Sequence, residues 1–102
     1  MDETRVIVYR TKPECAEENA RLIGDVFTEL DERGVEGVSY VALRLDDGVS
    51  FIHVAVVDPE DNPLASSPAF AAFQAGIGDR CEEGPSPSTA TVLGSHGVSD
   101  LS

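Results

Sequence analysis

Three stretches of the chain are apolar at almost every position, and between them lie segments with a helical period. Residues 4–11, TRVIVYRT, are β-branched and aromatic and predict a first strand. After Pro13 come Glu14, Glu17 and Glu18, acids that suit the positive end of a helix. Ala16, Ala20, Ile23, Phe27 and Leu30 then recur at steps of four, three, four and three, which is one face of an amphipathic helix. Gly34 is placed to terminate it. Residues 38–45 and 49–57, VSYVALRL and VSFIHVAVV, flank Asp46-Asp47-Gly48 and predict a hairpin. The stretch DPEDNP reads as a loop. Ser67 before Pro68 marks the start of a second helix, with Phe70, Phe73 and Ile77 as its apolar stripe. Gly76 and Gly78 weaken that helix, a sign of close packing or local irregularity. GPSPS, residues 84–88, reads as a loop, and TATVLGS, residues 89–95, as the last strand.

The order β-α-β-β-α-β predicts a ferredoxin-like α+β domain. Its antiparallel sheet has strand order 4-1-3-2, with two helices on one face. The 102 residues form one such domain, with its core at about 4–95 and a flexible tail at 96–102. The strands are apolar on both parities. In the third, Phe51, Ala55 and Val57 alternate with Ile52, Val54 and Val56. Two helices cover one face only, and a monomer rarely exposes an apolar patch of the size left over. A homodimer joined sheet to sheet is the expected solution.

Composition narrows the partners. Nineteen acids against seven bases give a net charge of −12, which repels phosphate backbones and anionic lipid. Nucleic acid and membrane surfaces are therefore not expected. No apolar segment reaches membrane-spanning length and no leader pattern opens the chain, so a cytoplasmic protein with reduced thiols is expected. Cys15 and Cys81 form no CxxC, and His53 and His96 are far apart, so no metal-ligand spacing is present. No phosphate loop, dinucleotide fingerprint or G-x-S-x-G is present, and no cofactor is indicated.

The segment SSPAFAAFQ, Ser66–Gln74, after the third strand of a βαββαβ chain resembles the antibiotic biosynthesis monooxygenase-like family of dimeric α+β barrels. The matching positions are Ser67, Pro68, Phe70 and Phe73, and the resemblance spans about residues 4–95. It implies a small dimeric protein whose relatives include cofactor-independent monooxygenases, haem-degrading enzymes and isomerases. The haem-degrading branch resembles a site built on Asn, Trp and His. This chain has no tryptophan, and its second helix carries no histidine.

His53 interrupts an otherwise apolar strand. Imidazole can serve as a general base in a pocket, or it can sit in the core with both nitrogens satisfied; the second reading weighs more on residue type alone. His53 is nonetheless the candidate catalytic residue. Phe51, Phe70, Phe73 and Phe27 are candidate walls for an apolar or aromatic ligand, and Tyr40, Arg44 and Tyr9 are alternative polar contacts. The hairpin register decides which of these meet. A three-residue Asp46-Asp47-Gly48 loop pairs Leu43 with Phe51 and Val41 with His53; this is the preferred register. A two-residue loop instead brings Tyr40 and Arg44 to the His53 face. Two functions follow: a small cofactor-independent monooxygenase-like enzyme acting on an aromatic metabolite, or a non-catalytic ligand-binding or structural dimer.

Overall fold

A computed structural model describes residues 2–97. Strand β1 spans Glu3–Thr11 and leads through one 3-10 turn, Pro13–Cys15, into helix α1, Ala16–Arg33. Strands β2, Val38–Arg44, and β3, Ser50–Val57, form the hairpin. A second 3-10 turn, Pro63–Ser66, precedes α2, Pro68–Ala75; a short α3, Ile77–Arg80, runs directly into β4, Cys81–Ala90. The sheet is antiparallel with order β2-β3-β1-β4, and the helices lie on one face, so the ferredoxin-like architecture is the observed one.

Local chemistry sets the helix ends. Gly34 adopts φ 59°, and its N–H donates to the Asp31 and Leu30 carbonyls while Val35 N–H also closes on Leu30. This left-handed cap satisfies carbonyls that would otherwise be orphaned. At α2, the Ser67 hydroxyl accepts from the Phe70 N–H at 3.0 Å and Pro68 occupies the first turn. The core joins Tyr9, Tyr40, Phe51 and Val57 of the sheet to Val26 and Leu30 of α1, Phe73 of α2 and Leu64.

Two expectations are corrected. The hairpin does not take the preferred register. Ala42 pairs with His53 and Arg44 with Phe51, while Leu43 opposes Ile52 and Val41 opposes Val54. The cause is Asp47. Its carboxylate accepts from the Val49 and Ser50 N–H groups and the Ser50 hydroxyl, while Leu45 N–H bonds to Ser50 and Gly48 N–H to Leu45. One side chain satisfying three donors holds a loop of residues 46–49, one residue longer than the expected turn. Tyr40, Ala42 and Arg44 therefore share the helix-covered face with Phe51, His53 and Ala55.

The last strand also lies earlier in the chain than its β-propensity suggested. Residues 84–88 belong to β4, whereas 91–97 have no regular structure, with Val92 and Leu93 exposed. β4 is an edge strand bonded only to β1, and an edge tolerates Pro85 and Pro87 because half of its N–H groups have no partner strand. The strand is irregular near Gly84: pairing with β1 shifts register between Val8 and Arg10, and the Gly84–Pro85 peptide is cis. Of the expected tail at 96–102, residues 98–102 lie outside the described residues.

The other face of the sheet presents Val6 and Val8, Val41 and Leu43, and Ile52, Val54 and Val56. Val8 and Leu43 are 45% and 47% exposed. No described element covers this face. Cys15 and Cys81 are both free thiols.

Gly84 has φ 88°, and a Cβ there would meet the Val8 carbonyl oxygen at 2.9 Å. Gly84→Ala is expected to lower stability by about 2 kcal/mol or more. Gly24→Ala, on the exposed side of α1 with open space around it, is expected to raise it by about 0.5–1 kcal/mol. Urea unfolding of both variants checks the pair.

Candidate active site

Three neighbouring strands bring three polar rings together under α2. His53 on β3 has Ile7 of β1 and Ala42 of β2 as its direct cross-strand neighbours. Tyr9 and Tyr40 stand two residues away on those strands, pairing with Phe51 and Ala55 respectively. They therefore reach the imidazole diagonally from opposite corners, a separation that long side chains span. The Tyr9 hydroxyl lies 2.7 Å from His53 Nε2, and the Tyr40 hydroxyl lies 2.7 Å from Nδ1. Both ring nitrogens are thus engaged, and His53 is only 3% exposed.

The network extends into the helices. Asn19 of α1, fully buried, donates from Nδ2 to the Tyr9 hydroxyl at 2.9 Å. Arg80 at the end of α3 donates from Nε to Asn19 Oδ1 at 3.1 Å and from Nη2 to the Phe73 carbonyl at 2.6 Å. Its guanidinium also lies over the Phe73 ring, 5.3 Å from the centroid. Arg80 is buried, and among the described residues no carboxylate pairs with it. The break between α2 and α3 makes room for this side chain. A Cβ at Gly76 would lie 2.9 Å from Arg80 Nη1, so that glycine serves close packing.

Burial dominates the electrostatics. It pushes His53 down to about 4, so the imidazole is neutral near pH 7. It pushes Tyr9 up to about 12 against the lowering effect of the Asn19 hydrogen bond. Burial also raises Tyr40, with the neighbouring Tyr9 adding to the effect. Each phenol keeps its hydrogen, and the neutral imidazole donates at one nitrogen and accepts at the other. A histidine with both nitrogens capped and a depressed pKa is a weak general base in this state.

A cavity of about 270 Å³ lies over this cluster. Its floor is Ile7, Tyr9, Tyr40 and His53; Phe70, Phe73, Gln74 and Ile77 wall one side, and Pro85 and Pro87 of β4 the other. A recess of about 100 Å³ shares Ile7, Tyr40, His53, Phe70 and Gln74 and continues towards Val57 and Leu64. The volume is near the lower end for small-molecule sites, ~300–1,000 Å³. Among the described residues no cluster of His, Cys, Asp and Glu is suited to a metal ion.

The structure gathers His53, Tyr9, Tyr40, Phe70 and Phe73 at this cavity. It places the other candidates elsewhere. Phe51 is core, stacked on Tyr9 with centroids 5.4 Å apart, and Phe27 packs behind Tyr40 at 5.0 Å. Arg44 turns to the surface, bonding Glu17 at 2.9 Å and the Gly48 carbonyl, with its guanidinium over Phe51. Asn19, Arg80 and the β4 prolines were not anticipated. Asn19 had a signal: residues 16, 19, 23, 26 and 30 step by three and four, so a polar side chain falls on the buried stripe of α1. Arg80 and the prolines had none, because their place depends on where β4 begins.

Solved structures of similar fold come from several bacteria. Rv0793 of Mycobacterium tuberculosis matches over 93% of this chain and 98% of its own, with TM-score 0.72 and 14% identity. A candidate antibiotic biosynthesis monooxygenase from Bacteroides thetaiotaomicron matches over 90% of each chain, with TM-score 0.71 and 18% identity. One from Chloroflexus aurantiacus matches over 96% and 99%, with TM-score 0.68 and 15% identity. No protein-family model matches the chain, and no curated protein matches it. The chain has the ferredoxin-like α+β fold of the antibiotic biosynthesis monooxygenase-like proteins.

The depressed His53 pKa couples the site to folding. The unfolded chain binds this proton near pH 6.5 and the folded one only near pH 4. The contribution is therefore complete above about pH 6.5 and is lost as pH falls towards 4. Between pH 7 and 4.5 it amounts to about 2 kcal/mol. Urea unfolding of wild type should lose that much more stability over this interval than His53→Gln does.

Proposed function

We propose that this chain is a small cofactor-independent monooxygenase-like enzyme that takes a planar aromatic metabolite into the cavity above His53. The carrying observation is the cavity itself: mainly apolar walls from β1, α2, α3 and β4, and a floor where two phenols and one neutral imidazole are the main polar groups. Such a pocket desolvates an aromatic ring while holding one polar substituent in place. Without a cofactor, the electrons for oxygen activation come from the substrate, as its enolate or phenolate. The fold shared with proteins named as antibiotic biosynthesis monooxygenases supports this reading. A second reading, a ligand-binding protein without turnover, draws on one observation: both His53 nitrogens are already hydrogen-bonded, which weakens it as a base.

The ligand assignment has a direct test. Thermal unfolding is measured with 1-naphthol, whose binding to the native state raises the midpoint by mass action. Wild type is expected to respond. Ile77→Trp, which fills the cavity from its α3 wall, is expected to lose the response while keeping the fold. Oxygen consumption with the bound naphthol separates the two readings: uptake supports the enzyme, and binding without uptake supports the ligand carrier.

Assembly belongs to the same proposal. The open sheet face carries seven Val, Leu and Ile side chains, and a second copy laid sheet to sheet removes them from water. An obligate contact of this kind buries about 2,000 Å² or more in total. Sedimentation at micromolar concentration is expected to show a dimer for wild type. Val54→Glu, on the open face, is expected to shift it to monomer, and His53→Gln, on the other face, to leave it unchanged. A wild-type monomer would remove this part of the proposal.

A further inference from the structure

Arg80, Asn19, Tyr9, His53 and Tyr40 form one unbroken run of hydrogen bonds. Most members can face either way, but the first cannot. A guanidinium has hydrogens to give and no acceptor. Asn19 must therefore turn its carbonyl oxygen to Arg80 Nε, which leaves its NH₂ group facing the Tyr9 hydroxyl. The Tyr9 oxygen accepts there and has one hydrogen of its own to give. Its other partner is His53 Nε2, at 2.7 Å. Receiving that hydrogen makes Nε2 the acceptor nitrogen, so Nδ1 of the neutral ring carries the N–H and donates to Tyr40, also at 2.7 Å. The opposite order would aim two donors at the Tyr9 oxygen and leave its own hydrogen without an acceptor among the described residues, in a side chain 3% exposed. In the head-to-tail order each bond polarises the next. The spare hydrogen then falls to Tyr40, whose hydroxyl has no other partner among the described residues and whose side chain lines both the cavity and its recess.

We propose that this run is a one-way relay. Arg80 and Asn19 are positioning residues that hold His53 as its Nδ1–H tautomer, and the Tyr40 hydroxyl is thereby left as a hydrogen-bond donor to a carbonyl or enolate oxygen of the ligand. The inference rests on the pocket reading above and assigns the polar end of the ligand to the Tyr40 corner of the floor. No proton is transferred along the relay; its role is to orient and polarise. Among the described residues the buried cation at its head has no carboxylate partner, and its field favours electron-rich oxygen at the tail. Burial of both phenols and of the imidazole keeps these three rings neutral, as the relay needs, near neutral pH.

Long-range ¹⁵N–¹H spectra of the histidine rings read the tautomer directly, in the full chain carrying His96→Gln so that a single ring remains. The Nδ1–H pattern is expected. Asn19→Asp cannot donate to Tyr9 and instead accepts its hydrogen, so His53 is expected to switch to Nε2–H and draw the Tyr40 hydrogen inward. Binding is measured with 2-hydroxy-1,4-naphthoquinone, an enolate at neutral pH, and with naphthalene, which has no acceptor. Asn19→Asp and Tyr40→Phe are each expected to weaken enolate binding about 10-fold or more, while naphthalene binding changes by less than about 2-fold. An Nε2–H tautomer in the wild-type relay, or full enolate affinity in Tyr40→Phe, overturns the proposal. Failure of naphthalene to bind wild type overturns the pocket reading instead, and the tautomer still decides the direction of the relay.

Discussion

The structure turns on a buried imidazole held between two phenol hydroxyls. His53 lies in the middle of the sheet, where an unpartnered ring nitrogen is costly, and each nitrogen has a tyrosine at 2.7 Å. The two tyrosines come from the strands on either side, at diagonal positions. A slip of one residue in either pairing would turn a tyrosine to the opposite face and strand a nitrogen. The polar cluster therefore ties the register of β1, β2 and β3 together, and the same register sets the floor of the cavity. Phe51 stacked on Tyr9 and Phe27 packed on Tyr40 brace the two phenols from behind. These phenylalanines contribute rigidity to the floor and leave the cavity walls to Phe70 and Phe73.

The two faces of the sheet solve different problems. The inner face buries polar groups and must satisfy them, which explains why Asn19 and Arg80 are drawn in from α1 and α3. Gly76 separates the short α2 from α3 and leaves room for the Arg80 guanidinium, which a Cβ there would approach to 2.9 Å. A short α2 roofs only part of the sheet, and the space it leaves beside the β4 prolines is the cavity. The outer face is apolar over its centre, with the Arg10–Glu83 ion pair at one end. Its valines, leucines and isoleucines offer a broad apolar surface on a chain of net charge −12, so the charges sit on helices, loops and strand ends.

Much of the fold was legible because its signals are local. Strands β1 to β3 announce themselves as β-branched runs, Gly34 ends α1 in the left-handed region, and Ser67 with Pro68 opens α2 through bonds spanning three residues. The choice between the two hairpin registers, settled in favour of the one that brings Tyr40 and Arg44 to the His53 face, depends on one carboxylate, Asp47, closing three donors, which composition does not distinguish from a glycine bulge. β4 was misread because prolines and serines have low strand propensity, yet an edge position removes the penalty that propensity describes. His53 stood out as an oddity in an apolar strand, but nothing local identifies partners 44 and 13 residues away.

By itself, the sequence determined the order of elements, the doubly apolar sheet and the short list of rings that could bear on a site, because periodicity and caps act within a few residues. Which of those rings meet follows from the three-dimensional fold. Phe51 and Phe27 became supports, Arg44 became a surface pair, and Asn19 and Arg80 entered the site, because side chains far apart in the chain are brought together by strand register and by where β4 starts. A buried polar group needs a partner wherever the fold can supply one, and that requirement is met in three dimensions.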